Sequence, residues 1–248
     1  GAEAVAGEAG QAGTLLPPSL TAVPIAHLAL DECAGPASDS QSQAAGTRFN
    51  VGCTDGVAGK AASFSADVSD QGPRRIELAD EPRFAFSHEL TVAAWVRPEA
   101  GVGIQPIVAK WYAMDMFELA VRYVTDGQGH ASPRFAFSIA EPEGDWGRPA
   151  DAISPDEVVL QQWAHVAGVY RWSPDGQVGH ITLYVNGQPV ADTSTKVGTD
   201  GLQQSTRPVT IGYADQGSQF VGSIDEVRLY NVALGPEIAW LFLEPTHP

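Results

Sequence analysis

Two adjacent carboxylates, Asp225 and Glu226, interrupt an apolar run near the end of the chain. The run, GSIDEVRLY at 222–230, otherwise has the composition of a β-strand, and Asp is rare inside strands. Because neighbours on a strand point to opposite faces, Asp225 is predicted to share a face with Val227 and Leu229. Burying an unpaired carboxylate beside apolar side chains is costly. The pattern therefore predicts a cation or several hydrogen-bond donors around Asp225.

Several aromatic side chains lie at predicted strand ends or in loops, where a role in the core explains them less easily. They are Trp111, Tyr112, Trp146 and Trp172. Sugar rings have apolar C–H faces that stack on such side chains, and polar neighbours then bind the hydroxyl groups. Asp145, Arg148 and Lys110 would supply those polar contacts. These residues favour a carbohydrate-binding surface, and the alternative is that the rings cover the edges of sheets.

The loop around Trp146, EPEGDWGRPAD, combines a large ring with charged residues and breakers of regular structure. That combination is typical of a recognition loop. The longer segment 141–157 is too rich in Pro and Gly to be predicted as regular structure.

Cys33 and Cys53 are the only cysteines in the sequence. Two cysteines that bound one loop suit a disulfide better than a metal site, which needs more ligands. A disulfide would place the protein in an oxidising compartment, secreted or on the cell surface. The alternative is a pair of free thiols in a cytosolic protein.

The composition argues against several classes of partner. The formal net charge is -16, which disfavours nucleic acid and anionic membrane surfaces as partners. No apolar run is long enough to cross a bilayer, so membrane insertion is not expected. Zinc, phosphate-loop and dinucleotide motifs do not occur, and neither does the E-x-D-x-x-E pair of carboxylates of many glycoside hydrolases.

Apolar residues recur with period two in short runs separated by Gly, Pro, Asn and Asp, which predicts an all-β sandwich. The run HELTVAAWVRP at 88–98 is the clearest strand. Asn186-Gly187 lies between two alternating runs and predicts a tight hairpin. The run ALGPEIAWLF at 233–242 predicts one short C-terminal helix, with Leu234, Ile238 and Leu241 on one face. Residues 1–24 are interpreted as a disordered tail or a linker from a preceding domain, and 25–248 as one domain.

The order of these runs resembles the laminin G-like domain of the concanavalin A-like lectin/glucanase superfamily. The motifs that carry the resemblance are LTVAAWVRPE, IVAKW, QQWAHVAGVY, ITLYVNGQPVA, VTIGY and GSIDEVRLYNVALGPEIAWL. The resemblance implies a jelly-roll sandwich of two curved antiparallel sheets, found as a module in larger exported proteins. It assigns Trp95 and Trp163 to the core, and His165 is predicted to be a satisfied buried histidine.

The resemblance also implies a calcium ion. In many members the Asp that matches Asp225 helps to hold calcium, and the other ligands come from the first strand and the loop that follows. The matching positions here are Asp31, Glu32 and Asp39. Calcium takes six to eight oxygen ligands, many of them carbonyls, so such a site suits a strand end. The alternative is that Asp225 caps a turn or pairs with a basic side chain, Arg48 or Arg228.

Three functions remain open from the sequence. The first is a non-catalytic, calcium-binding recognition module that binds carbohydrate. The second is an adhesion or spacer module that binds extracellular protein, and the third is a glycoside hydrolase or lyase of the same fold. Fold alone does not decide between them.

Overall fold

The structure is a computed structural model. It describes residues 19–42, 44–66, 72–99, 101–110, 116–141, 149–175, 178–196, 201–214 and 218–246. Within these ranges the chain forms 15 strands, one 3-10 turn at Pro82–Phe84 and one helix, α1, at Ile238–Leu243. The strands are β1 Ala26–Leu28, β2 Thr47–Phe49, β3 Gly52–Asp55, β4 Lys60–Phe64, β5 Arg75–Leu78, β6 Glu89–Pro98, β7 Ile104–Lys110, β8 Phe117–Thr125, β9 Ala131–Ile139, β10 Ala150–Ile153, β11 Ala164–Ser173, β12 Val178–Val185, β13 Gln188–Lys196, β14 Val209–Ile211 and β15 Gly222–Tyr230.

The strands form two antiparallel sheets. The first runs β13-β12-β11-β6-β15-β4-β3, and β1 joins it as an eighth strand by pairing with β15. The second has seven strands in the order β10-β9-β8-β7-β14-β5-β2. The two sheets confirm the predicted all-β jelly-roll sandwich. No helix among the described residues is long and apolar enough to span a membrane.

The main core lies between the sheets, and strand alternation supplies it. Along β6, Val92, Ala94 and Val96 are buried in this core, whereas Ala93 belongs to a second buried cluster on the opposite face of the strand. Burying a Val, Leu or Phe side chain contributes roughly 1.5–3 kcal/mol, so this face carries much of the stability.

Helix α1 covers part of the outer face of the eight-stranded sheet. Leu234, Ile238 and Leu241 are buried there against Ala167 and Tyr230, as their shared face predicts. The hairpin between β12 and β13 also confirms its prediction. Asn186 and Gly187 have φ values of 50° and 76°, the positive values that a type I′ turn needs.

Strand β10 corrects the sequence prediction that 141–157 is irregular. Residues 150–153 pair with β9 from Ala150 opposite Ile139 to Ile153 opposite Ala136. No Pro or Gly interrupts this short run, and β10 is an edge strand with one partner. Of the described breakers, Pro149 directly precedes the strand and Pro155 follows it, so both lie outside the paired run.

A β-bulge in β15 corrects the predicted faces of that strand. Asp225 lies opposite Trp95 and Arg228 lies opposite Ala93, so two residues of β15 face one residue of β6. Glu226 has a φ of 50°, and the extra residue shifts the alternation. As a result the main core contains Ile224 together with Val227 and Leu229. The paired carboxylates therefore sit in a bulge, which explains how they interrupt an apolar strand.

Candidate functional site

One row of side chains crosses the outer face of the seven-stranded sheet. Thr210, Ala109, Glu118, Ser138 and Asp151 are successive cross-strand partners on β14, β7, β8, β9 and β10. Directly paired residues on neighbouring strands point to the same face. Their sequence neighbours on β14, β8 and β9 lie in the main core, so the row faces away from it. The row is predominantly polar, which is unusual for side chains as buried as these.

Arg122 joins three members of the row. Its Nη1 donates to Asp151 Oδ2 at 2.6 Å, and its Nη2 donates to Ser138 Oγ at 2.8 Å and lies 3.5 Å from Glu118 Oε2. We call Glu118, Arg122, Ser138 and Asp151 the Arg122 cluster. Arg122 belongs to the same strand as Glu118, four residues further on, and Ala120 lies between them on that face. A small side chain there leaves room for the guanidinium to reach back along the strand.

The cluster retains unused hydrogen-bonding capacity. Asp151 Oδ1 and Arg122 Nε are buried and have no hydrogen-bond partner among the described residues. Burial raises the pKa of the Glu118 carboxyl, and the nearby Arg122 charge opposes that rise. Unpaired buried polar atoms are costly, so they point to a ligand or ordered water that would satisfy them.

The cluster lies beside the strand ends where the predicted aromatic segments attach. Lys110, Phe117, Ile139 and Ala150 are successive cross-strand partners, so β7, β8, β9 and β10 all end or begin in one row. The Arg122 cluster occupies the next row of the sheet. Trp111 and Tyr112 follow β7, and Trp146, Asp145 and Arg148 lie between β9 and β10. These five residues are outside the described part of the chain and stay predictions.

The two remaining predicted sugar contacts are described. Lys110 has a fully buried side chain whose Nζ lies 2.5 Å from Asp80 Oδ1, so in this structure it has an ionic partner and is not at a surface. Trp172 is half-buried, packs against the main core and lies 4.7 Å from the ring of His88 between centroids. The structure places neither in the Arg122 cluster.

Asp225 binds the turn between β3 and β4. Its Oδ2 accepts hydrogen bonds from the backbone N–H of Val57 at 2.8 Å and of Ala58 at 3.2 Å, and its Oδ1 accepts from the N–H of Glu226 at 3.0 Å. The residue is fully buried. Burial raises the pKa of Asp225 to about 7, although the three N–H donors favour the charged form.

Asp31 binds the same turn from the other side. Its Oδ1 accepts from Lys60 N at 2.6 Å. Any side chain at Gly59 would come within 2.2 Å of that oxygen, and one at Gly56 within 2.4 Å of Asp225 Oδ2. The turn therefore needs glycine at both positions to bring its backbone against two carboxylates.

The other predicted calcium ligands lie in different surroundings. Asp39 Oδ1 accepts from the N–H of His27, and its Oδ2 lies 2.5 Å from Arg83 Nη1. Glu32 Oε1 accepts from Ser38 N at 3.1 Å, and its Oε2 is buried without a partner among the described residues.

The residues at the β3–β4 turn fit part of a calcium site. Two carboxylates from opposite ends of the chain meet one turn, which also offers carbonyl oxygens, the ligand type that calcium favours. No group of three or more His, Cys, Asp or Glu side chains that could hold a metal occurs among the described residues. Asp225 does cap a turn, which is the first alternative to a calcium ligand. The basic side chains of the second alternative have other partners: Arg48 donates to the Glu32 and Gly52 carbonyls, and Arg228 pairs with Glu226 at 2.9 Å.

The predicted disulfide is present, because Cys33 and Cys53 are bonded to each other.

His165 is buried, and its pKa falls to about 3, mainly through burial and secondarily through Arg228. Its Nδ1 has no partner among the described residues, so the imidazole is neutral but incompletely satisfied. Trp95 is buried and Trp163 is only half-buried, and neither residue is a member of the two buried core clusters.

Sequence reasoning missed Arg122, Ser138 and Asp151. The available signal was the alternation of MFELAVRYV and RFAFSIA, in which Glu118, Arg122 and Ser138 place polar side chains on the outward face. That signal predicts a polar face, but it does not predict that Arg122 binds Ser138 and Asp151, which are 16 and 29 residues away in the sequence.

Comparisons with known proteins agree with this architecture. The Laminin_G_3 model of the concanavalin A-like lectin/glucanases superfamily matches residues 70–238, more than half of the chain. No curated protein gives a significant sequence match. Domain 4 of AbnA, a GH43 extracellular arabinanase from Geobacillus stearothermophilus solved with arabinotriose, is similar with a TM-score of 0.60 and 23% identity, covering 89% of this chain and 98% of that one.

Binding domains of botulinum neurotoxin are similar as well. The neurotoxin DC domain solved with SialylT has a TM-score of 0.62 and 11% identity, covering 90% of this chain and 51% of that chain. The neurotoxin DC domain solved with rat synaptotagmin II has a TM-score of 0.61 and 11% identity, covering 90% of this chain and 52% of that chain. The chain thus spans about half the length of these neurotoxin chains, and the likeness is one of fold.

Proposed function

We propose that this chain, which belongs to the Laminin_G_3 family of the concanavalin A-like lectin/glucanase superfamily, is a non-catalytic recognition module for carbohydrate. The observation that carries the proposal is the position of the Arg122 cluster. It lies on the outer face of the seven-stranded sheet, one row from the strand ends that flank 111–115 and 142–148.

The cluster has the chemistry that sugar hydroxyl groups need. Hydroxyl groups both donate and accept, and a carboxylate next to a guanidinium offers an acceptor and a donor at one place. Asp151 Oδ1 and Arg122 Nε are buried without a hydrogen-bond partner among the described residues, and a bound hydroxyl group would satisfy them. Trp111, Tyr112 and Trp146 in the adjacent segments would supply the apolar faces on which the rings stack.

The same geometry favours binding over hydrolysis. A glycoside hydrolase needs two carboxyl groups that flank the scissile bond, one as acid and one as base or nucleophile. Here Glu118 and Asp151 both approach the guanidinium of Arg122. The guanidinium lies between the two carboxylates, where a hydrolase would place the glycosidic bond. The similar neurotoxin structures are binding domains, which supports this view. Domain 4 of the arabinanase was solved with arabinotriose, but it belongs to an enzyme and does not separate binding from hydrolysis.

We place the module outside the cell. The Cys33–Cys53 disulfide supports this location, since disulfides persist in oxidising compartments. The arabinanase whose domain 4 is similar is described as extracellular.

Calcium belongs to the proposal as a structural ion. Asp225 and Asp31 would hold it at the β3–β4 turn, with carbonyl oxygens completing the shell. The ion would supply positive charge next to a buried carboxylate and would tie the segment after β1 to β15. All four predicted carboxylates accept hydrogen bonds in this structure, Asp225 and Asp31 from the turn itself and Glu32 and Asp39 from other segments, so each would need to share or release them to bind the ion.

A glycan array tests the proposed function. The array should carry plant-type oligosaccharides, arabinotriose among them, together with animal glycans such as gangliosides. We expect a limited set of hits and no hydrolysis products after prolonged incubation with those sugars. An empty array would favour the adhesion or spacer module, and released sugar would favour the enzyme.

A further inference from the structure

We propose that a cavity beside Trp163 is a second carbohydrate site, which binds one ring of a neutral sugar independently of the Arg122 cluster. The cavity measures about 210 Å³. It lies between Phe135 of β9, the segment 154–163 that joins β10 to β11, and the β12–β13 hairpin. Phe135 points into the core side of the seven-stranded sheet, whereas the Arg122 cluster lies on its outer face.

The walls of the cavity are held in place by hydrogen bonds. Ser154 N donates to Phe135 O at 2.8 Å, and Val158 N donates to Pro133 O at 2.8 Å, so the connecting segment follows β9. The Asn186 backbone N–H donates to His165 O at 2.8 Å, and Asn186 Oδ1 accepts from His165 N at 2.9 Å. A cavity with fixed walls loses little conformational entropy when a ligand binds.

The lining combines an apolar wall with a polar rim. Trp163 lies there with Phe135, Val158, Val185 and Val190. An indole and an aromatic ring next to aliphatic side chains form a surface that suits the C–H face of a sugar ring. The half-buried position of Trp163, which was predicted to belong to the core, is explained by this wall.

The polar rim selects the charge of the ligand. Asp156 and Glu157 contribute exposed carboxylates, and Gln162 and Asn186 contribute amides. Carboxylates accept hydrogen bonds from hydroxyl groups, and amide N–H groups donate to them. Among the described residues no Lys or Arg lines the cavity, although Arg134 lies 3.9 Å from Glu157 and Arg97 lies over the Trp163 ring, 5.6 Å from its centroid. The exposed carboxylate of Asp156 and the net charge of -16 therefore carry the preference for a neutral sugar.

The volume limits the ligand to one ring. Cavities that hold drug-sized molecules measure roughly 300–1,000 Å³, so a cavity of this size suits a single ring rather than a stretch of chain. We therefore expect it to bind the end of an oligosaccharide, while the row on the outer face of the seven-stranded sheet extends across several strands.

The test follows the indole N–H signal of Trp163 by ¹⁵N–¹H NMR, assigned by its loss in Trp163→Phe. The probes are arabinotriose, xylotriose, cellotriose and mannotriose, with trigalacturonic acid as the acidic control. The variants are Asp156→Asn at the cavity rim, Asp151→Asn in the Arg122 cluster, and Asp192→Asn as a matched exposed control on β13. Asp156 contributes only its backbone carbonyl to the local hydrogen bonds, so its side chain can be changed without loss of the fold.

We expect at least one neutral trisaccharide to shift the Trp163 signal saturably in wild type, in Asp151→Asn and in Asp192→Asn, and trigalacturonic acid to have no effect. Asp156→Asn should weaken that binding about tenfold, as expected for one lost charge-assisted hydrogen bond. A Trp163 signal that no neutral probe moves would overturn the second site, whatever the glycan array shows. A shift that disappears in Asp151→Asn would also overturn it, because the effect would then come from the Arg122 cluster. The Trp163 signal reports on the second site alone, whereas the first site is tested by calorimetric titration of wild type and Asp151→Asn, so either site can fail without the other.

Discussion

Glu118 reports on the charge state of the proposed sugar site. Its pKa is raised by burial, so the folded state holds the proton more tightly than the unfolded chain does. Protonated Glu118 therefore stabilises the folded state at low pH, and this contribution to the free energy of unfolding is lost as the pH rises through the raised pKa. We predict that Glu118→Gln removes this loss, so that melting temperatures of variant and wild type converge near pH 4 and wild type becomes the less stable of the two towards pH 8.

Thermal denaturation from pH 4 to pH 8 checks this prediction. Asp192→Asn, an exposed carboxylate on β13, provides the control and should follow wild type at every pH. A constant difference between Glu118→Gln and wild type across the range would show that Glu118 has an ordinary pKa in the folded protein.

Single residues differ in how far the sequence predicts them. Asp225 could be singled out, because a carboxylate in an apolar strand conflicts with strand composition. Its partners could not be, since the N–H groups of Val57 and Ala58 lie 168 and 167 residues away in sequence. Arg122 was missed for the same reason: its partners Ser138 and Asp151 belong to strands whose register only the folded sheets define.

At the scale of elements, the β3–β4 turn links the first and last parts of the chain. If calcium binds there through Asp225 and Asp31, it binds the folded state and stabilises it by mass action, by about 2.7 kcal/mol at a hundredfold excess over its Kd. Chelation should lower the melting temperature by several degrees, and calcium should restore it. Asp225→Ala should abolish the response to calcium, and Asp192→Ala should retain it.

Direct metal analysis of the purified protein accompanies that experiment, because a very tightly held ion would resist the chelator. A metal-free protein whose melting temperature does not change when calcium is added would contradict the proposed structural calcium ion. The baseline stability of Asp225→Ala is not the readout, since the substitution also removes three hydrogen bonds from backbone N–H groups.

The Cys33–Cys53 disulfide links the segment after β1 to β3, across a sequence separation of 20 residues. In the chain-entropy model, closing a loop of this length contributes about 3 kcal/mol. We predict that the Cys33→Ser, Cys53→Ser double variant loses about that much free energy of unfolding in guanidinium titrations. Reduction of wild type should give a similar loss, and an unchanged midpoint in both cases would show that the crosslink adds no stability.

Strands, turns and the helix could be predicted where the segment is long enough for its hydrophobic period to be recognised, or where a turn dipeptide marks it. The long alternating run of β6, the Asn186-Gly187 hairpin and the face of α1 follow from the sequence. Two elements could not be predicted. The bulge at Glu226 breaks the alternation that the prediction relied on, and β10 has only four residues between breakers, too few for a periodic signal.

At the scale of the molecule, both sheets contribute to one main core, with side chains from β1 near the start to β15 near the end. Such a core predicts a single cooperative unfolding transition for the proposed domain at 25–248. Differential scanning calorimetry should give a calorimetric enthalpy equal to the van't Hoff enthalpy. Two resolved transitions would show that this part of the chain contains more than one folding unit.

The family and the sandwich were predictable because apolar periodicity and turn residues recur along most of the chain. The ligand is a property of a few side chains, and fold does not determine it. The central claim, carbohydrate binding at the Arg122 cluster, therefore depends on one measurement: calorimetric titration of wild type and Asp151→Asn with the strongest neutral hit of the glycan array. We predict a loss of affinity of about tenfold or more in Asp151→Asn, corresponding to roughly 1.4 kcal/mol or more, with the melting temperature nearly unchanged. Equal affinities in the two proteins would contradict the account.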